Sequence, residues 1–161
     1  MKRLPFWILL SLLVTTYGCA STVVPGRLYS LEQPTKATMS FQFTGQRNGV
    51  ARATLSSGEN LNGEFVIWAE RTGSIDPEVL EEGGIKKGND GSPPMEWPVV
   101  YGYGSNSEEA DPVGSAMLLG SSGTSLEIVL YHAMFETSWV GDGLARDNKG
   151  NWYRVMLGDL D

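Results

Sequence analysis

Gly49-Val50-Ala51-Arg52-Ala53-Thr54-Leu55-Ser56-Ser57-Gly58-Glu59-Asn60-Leu61-Asn62-Gly63-Glu64-Phe65-Val66-Ile67-Trp68-Ala69 is the stretch on which the fold turns. Val50 to Leu55 reads as one strand and Gly63 to Ala69 as another. The turn Ser56-Ser57-Gly58-Glu59 between them makes the unit a β-hairpin. Its outline recurs twice. Gly49-x-Ala51-x-Ala53, followed by Gly58 and Leu61, returns as Gly114-x-Ala116-x-Leu118 with Gly123 and Leu126. It returns again as Gly141-x-Gly143-x-Ala145 with Gly150 and Tyr153, every offset being kept. The pattern has a physical meaning. Small residues on one face let a neighbouring backbone or a large side chain come close, and the later Gly supplies a positive φ in the turn. The apolar residue three positions on then starts the return strand on the buried face.

Working outward, Thr38 to Phe43 alternates polar with apolar residues, the period of a half-buried strand, and Arg27 to Leu31 is a candidate first strand. Further strands are expected at Val99–Tyr103, Ser115–Leu119, Ser125–Met134, Gly143–Arg146 and Trp152–Leu157. Asp76-Pro77-Glu78-Val79-Leu80-Glu81-Glu82-Gly83 has a capping Asp, Pro at the first helical position and a closing Gly, which predicts one short helix. Lys86 to Pro94 and Asn106 to Pro112 read as loops. The expected fold is therefore all-β, a small antiparallel barrel or sandwich of eight or nine strands with one short helix in a long loop.

The amino-terminal end carries a different signal. Lys2 and Arg3 precede the apolar run Leu4 to Val14, and Thr15-Thr16-Tyr17-Gly18 leads into Cys19, the one cysteine of the 161 residues. A basic start, a short apolar run and a small residue before a cut mark a secretory signal. The run is shorter than the roughly 20 residues that span a bilayer core. The reading divides the chain into a signal peptide at 1–18, a tether at 19–26 and a single β-rich domain at 27–161. Without Lys2 and Arg3 the remainder has 10 basic residues against 19 acidic ones. Such an acidic surface repels phosphate backbones, so nucleic acid is excluded as an expected partner.

Gly18-Cys19 resembles the lipobox of bacterial lipoproteins, although Thr16 and Tyr17 depart from the usual Leu and small residue. The resemblance implies that Cys19 is acylated after cleavage, and that the chain is lipid-anchored in the cell envelope. Ala20, where an Asp would resemble an inner-membrane retention signal, points by the same analogy to the outer membrane, facing the periplasm. Gly58 to Phe65 resembles the core of a MORN repeat, with Leu61 in place of its Tyr. The copies here are too far apart for a stacked solenoid, which leaves shared hairpin geometry. Taken together, several features resemble a group of small proteobacterial lipoproteins. They are Cys19 with Leu28-Tyr29, the segment Glu59 to Glu64, Gly123-Thr124-Ser125-Leu126, and the closing Gly141-x-Gly143…Asp147-Asn148-x-Gly150-x-x-Tyr153. That resemblance brings no activity with it.

The search for chemistry yields no catalytic, metal or cofactor site. His132, the single histidine, sits in an alternating stretch and reads as a strand residue with a satisfied ring. One His and one acylated Cys exclude the usual zinc sets, and no Gly-x-Ser-x-Gly elbow is present. Glu81-Glu82 and Glu108-Glu109 read as solvated loop pairs. Asp142, Asp147 and Asn148 with Gly150 lack the ligand spacing of an EF-hand and read as turn residues. Trp97, Tyr101, Tyr103, Trp139 and Trp152 form a candidate aromatic face for a sugar or peptide, and Trp152 and Tyr153 must point to opposite faces of their strand. The expectation is a non-enzymatic binding or assembly module with the membrane as partner through Cys19 and an envelope protein or glycan as a further partner. The alternative is a wall-acting enzyme or inhibitor with an aromatic, carboxylate-lined cleft.

Overall fold

A computed structural model describes residues 21–70, 111–135 and 139–158. They form eight strands: β1 (Val23–Ser30), β2 (Lys36–Phe43), β3 (Asn48–Thr54), β4 (Asn60–Ile67), β5 (Gly114–Gly120), β6 (Ser125–Met134), β7 (Val140–Asp147) and β8 (Trp152–Leu157). Each strand pairs antiparallel with the next, and β8 pairs back onto β1, so the sheet is a closed up-and-down barrel. Closure decides between the two expected architectures. The expected signal at 1–18 and Cys19 lie outside the described residues, as do the expected helix at Asp76–Gly83, the expected loop at Lys86–Pro94 and the expected strand at Val99–Tyr103. The same holds for both Glu pairs and for Trp97, Tyr101 and Tyr103.

Three strands start three or more residues before their expected positions: β1, β7, and β4, which begins at Asn60 rather than Gly63. β1 begins at Val23, inside the stretch read as a tether, because Val23 to Tyr29 pairs residue by residue with β2. The small and β-branched composition that suggested a linker also suits an edge of pleated sheet. β7 starts at Val140, three residues early, since Gly141 pairs with both Ala133 and Leu157 and its lack of a side chain hides the alternation.

The interior follows from period-two alternation. Leu28, Phe41, Leu61, Phe65, Leu118, Leu126, Ile128, Leu130, Val155 and Leu157 point inward and are buried in one cluster. Eight strands enclose a space that side chains can fill, and here they do. Arg27, Lys36, Arg52, Glu64 and Glu127 stand on the outer wall, beside the exposed Val66, Met117 and Leu119 of β4 and β5. The outer wall of β6–β8 is an exception, because Leu144 and Trp152 are buried there and Arg154 pairs with Asp142 at 2.7 Å. Trp152 and Tyr153 do face opposite ways, Tyr153 inward and half-buried, Trp152 outward.

All three repeat copies are hairpins with one turn geometry. Gly58, Gly123 and Gly150 have φ of 83°, 85° and 85°. In each turn the Gly N–H donates to the carbonyl three residues before it, from Leu55, Gly120 and Asp147 respectively. A second bond joins Leu55 to Glu59, Gly120 to Thr124 and Asp147 to Asn151. This is the three-residue loop in which a left-handed Gly relieves the strand twist.

Candidate functional site

Strand direction sorts the loops between the two ends of the barrel, and the ends are chemically unlike. At one end lie the three repeat turns, fastened to each other. Glu59 accepts from the Ser122 N–H at 3.0 Å and from the Thr124 hydroxyl at 2.7 Å, tying the first turn to the second. Asn148 donates to the Gly123 carbonyl at 3.0 Å and accepts from the Ser125 N–H, tying the second to the third. The buried Asp147 carboxylate accepts from the Lys149 and Asn151 backbones, the Asn151 amide and the Tyr153 hydroxyl. With both oxygens so occupied, Asp147 is a turn residue, as its spacing suggested. Among the described residues no group of three or more His, Cys, Asp or Glu is placed to hold a metal ion.

The Thr124 hydroxyl, and after it the Ser122 N–H, hold the Glu59 carboxyl below its ordinary pKa of 4.5. A carboxylate with a depressed folded pKa adds stability above its unfolded value and loses it as pH falls through the folded one. Thermal stability is therefore expected to decline below about pH 4.5, and a Glu59→Gln variant should show a shallower decline. Parallel melting curves of the two proteins between pH 3 and 7 measure it; identical acid slopes would remove Glu59 as a contributor.

Among the described residues, the other end is open. The mouth holds a cavity of about 650 Å³, lined by Ser21, Thr22, Phe43, Arg47, Phe135 and Trp139 among others. Phe43, Phe135 and Trp139 line it, and behind them the rings run on into the core. Phe65 lies 4.5 Å from Phe41 and 4.8 Å from Phe43 between centroids. Phe43 lies 5.1 Å from both Phe135 and Trp139. Edge-to-face and tilted contacts of this kind fix the rings relative to one another. On the cavity wall Arg47 pairs with Glu70 at 3.5 Å and donates to the Trp68 carbonyl at 3.1 Å. The mouth thus offers aromatic faces beneath one paired cation and anion, which suits a ligand with an apolar part and a polar part.

Of the aromatics singled out from sequence, Trp139 lies in the mouth. Trp152 sits on the outer wall with the Arg146 guanidinium 5.5 Å from its ring, so the structure does not bring the two together. Phe43 and Phe135 were missed as site residues. Alternation marks Phe43 as inward-facing, but its meeting with Phe135 depends on pairing between distant strands. His132 is in β6, across from Asp142, beside a register shift between Leu130 and His132. Its Nε2 is buried and has no hydrogen-bond partner among the described residues, which corrects the expectation of a satisfied ring. Burial lowers its pKa, and the facing Asp142 opposes that. Comparison with protein-family models, curated proteins and solved structures finds no match for this chain.

Proposed function

We propose that the chain is a lipid-anchored, non-enzymatic binding module of the bacterial cell envelope. It is held through an acylated Cys19, on the outer membrane facing the periplasm, and it binds through the mouth of its barrel. The observation that carries the reading is the contrast between the ends. One end is laced shut by satisfied polar turns, while the other presents rings and a single ion pair around a ligand-sized cavity. The acidic surface and the signal-like start are consistent with an exported protein that avoids nucleic acid. A hydrolytic reading needs two polar groups converging on one substrate atom. Among the described residues lining the mouth, Glu70 is the carboxylate, and it is engaged by Arg47. That geometry favours binding over hydrolysis.

The test is the intact mass of the membrane-extracted protein beside that of a Cys19→Ser variant. The expected mature species is heavier than Cys19–Asp161 by its acyl groups, and the variant lacks that species. An unmodified mass recovered from the soluble periplasm would overturn the anchor.

A further inference from the structure

The proposed anchor and the open end of the barrel are neighbours. Ser21 and Thr22 line the mouth cavity, and the Thr22 carbonyl accepts from the Phe43 N–H at 2.8 Å. One residue, Ala20, separates Ser21 from Cys19, so chain connectivity alone holds the Cα of that cysteine within about 7 Å of Ser21 at the mouth. No long tether lifts the barrel away, because β1 is already paired from Val23 onward. A barrel attached so closely by one end must present that end to the bilayer.

The rim has the side chains for such a position. Val23, Trp68 and Trp139 are 54%, 51% and 40% exposed, and they sit on or beside β1, β4 and β7, so they surround the mouth. The indole N–H of Trp68 donates to the Pro112 carbonyl at 2.9 Å, which leaves its ring to face outward from a fixed position. Tryptophan is favoured at the boundary between hydrocarbon and headgroup, where its apolar body and polar N–H are both accommodated. The three repeat turns at the opposite end are built of Ser, Gly, Asn, Thr, Lys and Glu, which suit water.

We infer that the mouth rim seats in the headgroup region of a phospholipid bilayer, with Trp68 and Trp139 reaching its acyl boundary. The partner of the mouth is then the lipid surface itself. This rests on acylation of Cys19, and the experiment separates the two. The acylated protein is reconstituted into phosphatidylcholine vesicles whose acyl chains are brominated, and its tryptophan emission is compared with that in unbrominated vesicles. Emission is expected to be quenched. The quenching should fall about twofold or more in a Trp68→Phe/Trp139→Phe variant, and partly in Trp68→Phe alone. A Leu119→Trp variant, which adds an indole near the polar end at a position already 63% exposed, should contribute emission that bromine does not quench. Intact mass is measured on every sample. An acylated protein quenched to the same degree with and without its rim tryptophans would overturn the rim alone. So would quenching of the indole at 119. An unacylated mass would overturn the anchor, and the seating with it.

Discussion

Replacing Gly63 with alanine is expected to prevent the barrel from closing. Position 63 lies in the middle of β4, opposite Ala51 on β3 and Leu118 on β5. The β5 backbone passes so near that a Cβ at this position would land on the Met117 carbonyl, a group without the freedom of a side-chain tip. Relief requires β4 and β5 to separate, and each belongs to a ring that cannot open at one place without losing ladder bonds. A cost upward of about 3 kcal/mol is expected, a large part of what a domain of this size has. Gly58→Ala is the comparison. Its Cβ would meet nothing within 4 Å, so the penalty there is that of an L-residue at φ 83°, about 1–2 kcal/mol. Urea unfolding followed by tryptophan emission would measure both. Equal midpoints for the two variants would show that β4 and β5 can part cheaply.

Phe65→Ala attacks the same strand by the opposite means. Phe65 is buried between Phe41 and Phe43 and lies over Gly49, which it faces across the β3–β4 ladder. A neighbour without a side chain makes room for the ring, so nothing nearby can swell to fill the space it leaves. Removal of a core phenylalanine costs about 3–5 kcal/mol. At a urea slope of ~2 kcal/mol per molar, that moves the midpoint by about 2 M. The loss should also reach the mouth, since Phe43 stands on Phe65 and supports Phe135 and Trp139. Bromine quenching of Trp139 should fall in this variant even under conditions where it remains folded. A midpoint shift under 1 M, with quenching unchanged, would mean that the rings are supported from elsewhere.

The parts of this fold that were legible in the sequence are the local ones. Each repeat turn is decided within a few residues, because Gly58, Gly123 and Gly150 must supply a positive φ and the small residues upstream must lie on one face. β6 and β8 could be read to their ends because a turn residue bounds each start. Other features depend on residues far apart in the chain. Pairing of Leu28 with Val155 turns a sheet into a barrel, and no short-range pattern marks it. The mouth needs rings from β2, β4 and the β6–β7 loop, so composition showed aromatics in plenty without showing which of them meet. In the sequence Glu59 is one residue of the turn Ser56-Ser57-Gly58-Glu59. Its bond to Thr124, 65 positions away, is what fastens two of the repeats together. The equal offsets did carry that information, in that copies with the same strand direction must put their turns at the same end.

The β1–β8 seam has a consequence for the order of events in folding. Every other pair except β4–β5 joins strands linked by a short turn, and can form as soon as both have been synthesised. The seam must wait for Trp152–Leu157, the last of the eight strands in chain order. Bringing Gly26 to Leu157 closes a loop of nearly the whole domain. Until then the growing sheet has two unpaired edges and an uncovered apolar face. The last strand in chain order is therefore also the latch that closes the barrel.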